Sequence, residues 1–263
     1  ARAAEPGMDA LLDMPLEGLM QVQVTVASRY AEAMGTAPAL VTVLERDRIE
    51  AMGITRLAEL LNYVPGFHVS HDSNIATRTP VVNARGHHNA RVLLLLDGKR
   101  VNEHNTSTPF LFQRLYSLHN IQRVEVMRGP GSSIYGSAAF VGIVNLVTRD
   151  APNETGAETG SHGHRQLVAA RALSGRDWGL SLYGRFQGDD GERYRGLFDR
   201  FGHTDRSRDP RDQVEAQLKG RFRDLDFRVY HTRTRAEDFY QFGALGNGIN
   251  EDETRRTVEL ERY

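Results

Sequence analysis

Hydrophobic and polar positions along this chain follow two different rhythms. In residues 213–223, Val214, Ala216, Leu218, Gly220 and Phe222 alternate with Gln213, Glu215, Gln217, Lys219, Arg221 and Arg223. That is the period of two of a strand with one apolar and one polar face. After a minimal turn, Leu225, Phe227 and Val229 repeat it against Asp226, Arg228 and Tyr230. Leu180 and Leu182 repeat it against Ser181 and Tyr183, and Val258 and Leu260 against Glu259 and Glu261. About five strands are predicted from residue 155 onward on this pattern. A half-buried soluble sandwich gives the same alternation. Connection lengths separate the two readings: residues 174–177 and the one or two after 223 are short, whereas 188–212 and 236–254 are long and polar. Short turns at one end and long loops at the other are the habit of an outer-membrane barrel. With residues 155–163 running outward as the first strand, the short turns fall at a single end. The face bearing Glu215, Lys219 and Arg221 must then look into the lumen, because a basic side chain at the bilayer midplane costs about 2–4 kcal/mol.

Before residue 150 the pattern is that of a small globular domain. Residues 38–44 read as a strand leading into a charged helix start at Glu45, Arg46, Asp47, Arg48 and Ile49, which Gly53 punctuates. Thr55 is placed to cap a second helix with Leu57, Leu60 and Leu61 on its core face, ended by Pro65 and Gly66. Residues 67–70 begin another strand. Residues 81–85, 91–96 and 123–127 read as strands of a small mixed sheet, with Asp97 and Gly98 as a hairpin turn returning through 99–101. Residues 121–150 run as strand, glycine-rich turn (Gly129, Pro130, Gly131), a short helix of small residues over 132–139, then a buried strand with Ile143, Val144, Leu146 and Val147. The connection 102–115 is long for a compact domain, which marks it as functional or mobile. Near the start, Val22, Gln23, Val24, Thr25, Val26 and Ala27 alternate and are rich in β-branched residues, as a strand does. Residues 1–18 are acidic, with a short amphipathic possibility over 8–20.

Length and composition narrow the class. A chain of 263 residues has room for one large or two modest domains. A formal net charge of −1 argues against binding nucleic acid through bulk positive charge. Cysteine is absent, which excludes disulfide scaffolds and cysteine-based metal sites and is compatible with a cell-envelope location. No run approaches the roughly 20 apolar residues of a membrane-spanning helix. Nor does the start show a basic segment followed by an apolar core, so a signal peptide has been removed or the protein is cytoplasmic.

Candidate chemistry is sparse. The loop 129–136 has backbone N–H groups suited to cradling phosphate, but it lacks the Gly-Lys-Ser/Thr ending of a nucleotide loop. An α/β phosphate-binding enzyme seeded there is the weakest of three alternatives. His87 with His88 and His162 with His164 lack metal-ligand spacing, and Ser132 and Ser133 lack a nucleophile-elbow context. No catalytic residue, metal or cofactor is expected.

Several short segments, taken in order, carry a resemblance: Leu57 through Pro65-Gly66; Ala84-Arg85-Gly86; Leu95-Leu96-Asp97-Gly98 with Val101-Asn102; Arg128-Gly129-Pro130; Tyr135-Gly136; and Gly142-Ile143-Val144-Asn145. Across about half the chain they resemble the plug domain of TonB-dependent outer-membrane receptors. The resemblance implies an α+β plug domain with a small mixed sheet, followed by the antiparallel strands of an incomplete transmembrane β-barrel. It places an N-terminal extension at 1–36, the plug at 37–150 and the first barrel strands at 151–263. Barrels of this family have about 22 strands, so the chain is read as the N-terminal portion of a receptor. Residues 22–27 take the position of the TonB box, which would pair its backbone with a TonB-type periplasmic energy-transducing protein by strand addition. Arg85 and Arg128 match plug arginines that pair with barrel-wall carboxylates, here expected beyond Tyr263. His71, Asp72, Asn74, His104, Asn105, Phe110 and Phe112 fall in the loops 71–79 and 102–115, near the outward apex where such receptors touch ligand; His68, His71 and His104 raise haem or a metal chelate as a ligand. Gly86, Asp97, Gly98, Gly129, Pro130, Gly131 and Gly136 are expected as structural turns. The implied function is energy-coupled uptake of a scarce ligand such as an iron chelate, haem or cobalamin. Its setting would be the Gram-negative outer membrane, with plug and N-terminus reached from the periplasm. Expected partners are the energy transducer, outer-membrane lipid and a small-molecule ligand, and not nucleic acid. The alternative is a soluble periplasmic binding or signalling module without a pore.

Overall fold

In the computed structural model, residues 23–24, 32–33, 40–71, 80–84, 92–101, 117–129, 135, 139, 142–191, 193–196, 198–199, 201–202, 207–208, 210–237, 240–241, 244–245 and 250–262 are described. The chain divides into two compact units, Ala1–Ser70 with Pro80–Arg149 and His71–Thr79 with Asp150–Tyr263.

In the first unit, Gln23–Val24 (β1) pairs antiparallel with Glu32–Ala33 (β2). Leu40–Glu45 (β3) runs directly into the helix Arg46–Ala51 (α1), and Leu57–Leu61 forms a second short helix (α2). Arg46 ties α1 to the sheet by donating from Nη1 to the carbonyl oxygens of His119 (2.7 Å) and Ile121 (3.2 Å). The N-cap of α2 is Arg56, with no side-chain cap hydrogen bond, so the expected cap at Thr55 is not used. What holds α2 is burial: Leu57, Leu60 and Leu61 are all in the core, which stabilises a helix of this length far more than propensity does.

Phe67–His71 (β4) and Pro80–Ala84 (β5) pair with each other and do not join the main sheet, contrary to the expectation for residues 81–85. That sheet is built from β3, Val92–Leu96 (β6), Lys99–Arg100 (β7), Ile121–Arg128 (β8) and Gly142–Thr148 (β9), in the order β3-β8-β9-β6-β7. It is mixed, since β6 runs parallel to β9 and the other pairs are antiparallel. All five residues of β6 are buried, as in a strand covered on both faces. Leu93, Leu95, Met127, Ala139 and Ile143 pack together with Val41 and Tyr135 against them.

Two turns are set by backbone chemistry. Asp97 (φ 47°) and Gly98 (φ 79°) are both left-handed, the pairing required by a two-residue hairpin. Gly129 sits at φ 119°, which a side chain would strain. Close approach fixes Gly142, where an added Cβ would lie 2.8 Å from the Met127 carbonyl oxygen. Gly142→Ala is therefore expected to destabilise this unit by about 1–3 kcal/mol, seen as faster limited proteolysis of residues 40–149 at a given urea concentration.

The second unit is one antiparallel sheet: Glu154–Thr159 (β10), Arg165–Ser174 (β11), Trp178–Asp189 (β12), Arg211–Phe222 (β15), Leu225–Glu237 (β16) and Asn250–Arg262 (β19), neighbours in that order. Two-stranded hairpins Arg193–Tyr194/Ser207–Arg208 (β13, β14) and Tyr240–Gln241/Ala244–Leu245 (β17, β18) lie in the long connections. Six long strands stand where about five were expected, and they extend further than predicted, to Glu237 and from Asn250. Among the described residues the sheet does not close, and β10 and β19 are its edges.

Candidate functional site

The second sheet is inside out by the standards of a water-soluble protein. Large apolar side chains are among its exposed ones: Leu167 is 58% exposed, Trp178 45%, Leu182 44%, Val214 40% and Phe222 52%. Its buried ones are polar: Ser181, Arg185, Gln213 and Gln217 are 5–8% exposed. A soluble sandwich would bury the first set and solvate the second, so this pattern is the one expected when lipid lies against the apolar face.

The cross-strand register gives that face a height. At the short-turn end one row is Trp178, Phe222 and Leu225, and the Arg223 guanidinium lies 5.4 Å from the Phe222 ring centroid. Ten residues along β12, the row Arg165, Gly188, Asp212 and Arg235 is polar again, with Arg165 and Asp212 3.9 Å apart. At about 3.3 Å per residue and a strand tilt near 40°, the two rows stand about 25 Å apart, the apolar height of an outer-membrane wall. Aromatic rings at one border and ions at the other match its two interfaces. Arg171 interrupts the band, opposite Leu182; its long stem allows the charge to reach a border.

On the polar face Arg185 organises a network. Its Nε donates to Gln166 Oε1 (2.8 Å) and its Nη1 to Gln213 Oε1 (3.3 Å), while Nη2 donates to Gln187 Oε1. Glu215 Oε1 lies 3.5 Å from Nη1. Lys219 Nζ reaches Asp150 Oδ1 at 3.2 Å, and Arg221 grips Asp226 bidentately at 2.8 and 2.9 Å across the tight turn.

The first unit has its own polar centre. Glu125 is fully buried, accepting from Arg123 Nε at 2.9 Å and from Asn145 Nδ2 at 3.2 Å. Asn145 Oδ1 in turn accepts from the Gly98 backbone N–H at 3.0 Å. The Asp97 carboxylate accepts from the Thr148 N–H (2.8 Å) and hydroxyl (2.6 Å). The hairpin turn is thus clamped onto β9, and β6, β8 and β9 are locked in register. Both faces of β8 are covered, so Glu125 is enclosed although it alternates with Val124 and Val126. The available signal was Asn145, an amide alone in the apolar run 143–147.

The other expected site residues fall as follows. Gln23 and Val24 form β1, while Val22, Thr25, Val26 and Ala27 lie outside the described residues. Arg128 ends β8 opposite Leu40 and Gly142, and its Nε is buried without a hydrogen-bond partner among the described residues. Arg85 and the loop candidates Asp72, Asn74, His104, Asn105, Phe110 and Phe112 lie outside the described residues, as do Gly86, Pro130, Gly131 and Gly136. His71 closes β4. Most of the expected short helix over 132–139 is likewise outside them, Tyr135 being helical. His164 Nε2 sits 3.8 Å from Glu158 Oε1. Among the described residues no group of three His, Cys, Asp or Glu could hold a metal ion.

An α+β domain followed by a wall that is apolar outside and polar inside defines a class: outer-membrane barrel proteins with an N-terminal plug. Comparison with known proteins makes this specific. Residues 34–143 match the TonB-dependent Receptor Plug Domain. The chain is 34% identical over 134 residues to the iron-regulated outer membrane virulence protein of Vibrio cholerae serotype O1, covering 49% of this chain and 20% of that protein. To the vitamin B12 transporter BtuB of Vibrio vulnificus it is 32% identical over 133 residues, 51% of this chain and 21% of the transporter. The chain thus spans about a fifth of the length of these curated relatives. In fold, a mutant of the ferric enterobactin receptor PfeA from Pseudomonas aeruginosa matches 90% of this chain and 39% of its own, with a TM-score of 0.63 at 16% identity. The ferric yersiniabactin uptake receptor FyuA from Yersinia pestis matches 84% of this chain and 34% of its own, with a TM-score of 0.58 at 19% identity. Residues 34–143 thus carry the plug domain of TonB-dependent receptors, and the described fold is shared with the corresponding part of solved receptors of that kind.

Proposed function

We propose that this chain serves a receptor that imports a scarce ligand, such as an iron chelate, haem or cobalamin, using energy delivered from the periplasm, and that the chain itself catalyses no reaction. The observation that carries the reading is the order of parts: a strand-forming segment at Gln23–Val24, a plug domain over 34–143, then a wall whose apolar side chains face out. Residues 22–27 serve as the TonB box. Backbone pairing is the mode of recognition, and Gln23 and Val24 already hold Ala33 and Glu32 in such a pairing; the transducer would take the place of β2. Arg128 and Arg85 anchor the plug to wall carboxylates, a role supported by the unsatisfied Arg128 Nε, since a guanidinium fork suits a bidentate carboxylate contact. The loops with His71, Asp72, Asn74, His104, Asn105, Phe110 and Phe112 receive the ligand. A soluble periplasmic module is not favoured, because exposed Leu167, Leu182 and Val214 would present water with a wide apolar surface.

Deleting residues 22–27 from the receptor tests the coupling role. Uptake is expected to fall to the level of a strain lacking the transducer, while ligand binding at the cell surface persists. Unchanged uptake would remove the assignment.

A further inference from the structure

On the polar face of the second sheet one register row consists wholly of hydrogen-bonding residues. It runs Glu158, Gln166, Gln187, Gln213, Thr234 and Glu253 across six adjacent strands. Neighbouring strands stand about 4.8 Å apart, so the four uncharged members span about 14 Å, the width of a small chelate and not of an ion. Arg185, buried one row below, orients the three amides: Gln166, Gln187 and Gln213 each turn the carbonyl oxygen to its guanidinium. An amide whose oxygen is committed in this way meets any further partner with its NH2 group. Gln166 already does so, donating from Nε2 to Glu158 Oε2 at 3.2 Å. Gln166 and Gln187 are half-buried, and the row continues from them to Gln213 and Thr234, 5% and 4% exposed. The enclosed Thr234 hydroxyl has no hydrogen-bond partner among the described residues. Leaving a buried hydroxyl unpaired weakens a fold, so it points to a partner that the chain does not itself supply.

Charge sets the class of that partner. No cation stands in the row, a glutamate closes each end of it in register, and the Arg185 charge is met by Glu215 at 3.5 Å. We infer that this row is a subsite for an uncharged, oxygen-rich part of the imported ligand. Its carbonyl or hydroxamate oxygens accept from the Gln166 and Gln187 amides and the Thr234 hydroxyl, while Glu158 disfavours a ligand carrying several negative charges. The inference rests on the uptake reading and narrows it to uncharged, carbonyl-rich ligands.

The test measures equilibrium binding to the intact receptor in detergent. Its probes are a neutral ferric trihydroxamate, cyanocobalamin and an anionic ferric tris-catecholate. Wild type is expected to bind at least one of the two uncharged probes in preference to the tris-catecholate. Gln187→Leu and Thr234→Val should each weaken that binding about fivefold, the worth of one neutral hydrogen bond. Thr234→Ser, which keeps the hydroxyl, should bind like wild type. So should Ser181→Ala, which removes a hydroxyl from the same face six residues back along β12. Thermal melting separates binding from folding: a hydroxyl that the fold does not use can be lost without cost, so Thr234→Val should melt no lower than wild type. Preference for the tris-catecholate, or binding of neither uncharged probe, would overturn the inference. So would Gln187→Leu or Thr234→Val binding like wild type, a matching loss in Ser181→Ala, or a lower melting point in Thr234→Val. A receptor that prefers the tris-catecholate and still loses uptake on deletion of residues 22–27 would sink this subsite and leave the transport reading standing.

Discussion

Replacing Glu125 by alanine is expected to destabilise the plug by about 3–5 kcal/mol, the penalty for stranding a buried charge. Glu125 is fully enclosed and its carboxylate accepts from Arg123 Nε and Asn145 Nδ2. Removing it leaves the Arg123 guanidinium, itself 8% exposed, without that counter-charge in the middle of the sheet. It also frees Asn145, whose carbonyl oxygen holds the Gly98 turn. Hydrogen exchange at Val124, Val126, Val144 and Leu146 reports the loss directly: opening of β8 and β9 should become more frequent by two to three and a half powers of ten, at about 1.4 kcal/mol per factor of ten. Arg123→Met combined with Glu125→Leu should recover most of the loss, since an apolar pair of similar volume is often as stable as the buried ions it replaces. If Glu125→Ala exchanges like wild type, the network does not hold the sheet.

Placing an arginine at Leu182 is the second large effect. Leu182 is 44% exposed and four residues along β12 from Trp178, hence about 10 Å above the aromatic border and near the middle of the band. A basic side chain there costs about 2–4 kcal/mol. Its register partner is Arg171, and like charges directly opposed add to the cost. The yield of folded, heat-modifiable receptor in the outer membrane is expected to drop sharply for Leu182→Arg and to hold for Leu182→Met. Normal assembly of the arginine variant would mean that lipid does not cover this face.

Much of the second unit was legible because strand side chains alternate strictly: the pattern from Gln213 to Phe222 names both faces without any tertiary information. Which face meets lipid was less direct. It was inferred from loop lengths and charge cost, and the exposure of Leu167 and Val214 beside buried Gln213 and Arg185 decides it. The plug was legible in part. Leu57, Leu60 and Leu61 were expected in the core and are there, and residues 92–96 form the strand that was expected. Thr55 was misread as a cap because capping depends on local geometry that one residue type does not fix. Residues 81–85 were misassigned to the main sheet because pairing between distant strands leaves no local trace.

By itself the sequence determined the periodicities, the turn at Asp97-Gly98 and the lone amide Asn145 within its apolar run, since backbone angles and side-chain alternation are properties of neighbouring residues. Only the tertiary structure decided that Glu125 meets Arg123 and Asn145, that Asp97 clamps Thr148, and that Arg185 gathers Gln166, Gln213 and Glu215. Apart from Arg123, two residues from Glu125 on the same strand, those partners lie on different elements and meet only once the sheet's register is set, and a buried charge is tolerable only when the fold brings its partner within hydrogen-bonding distance.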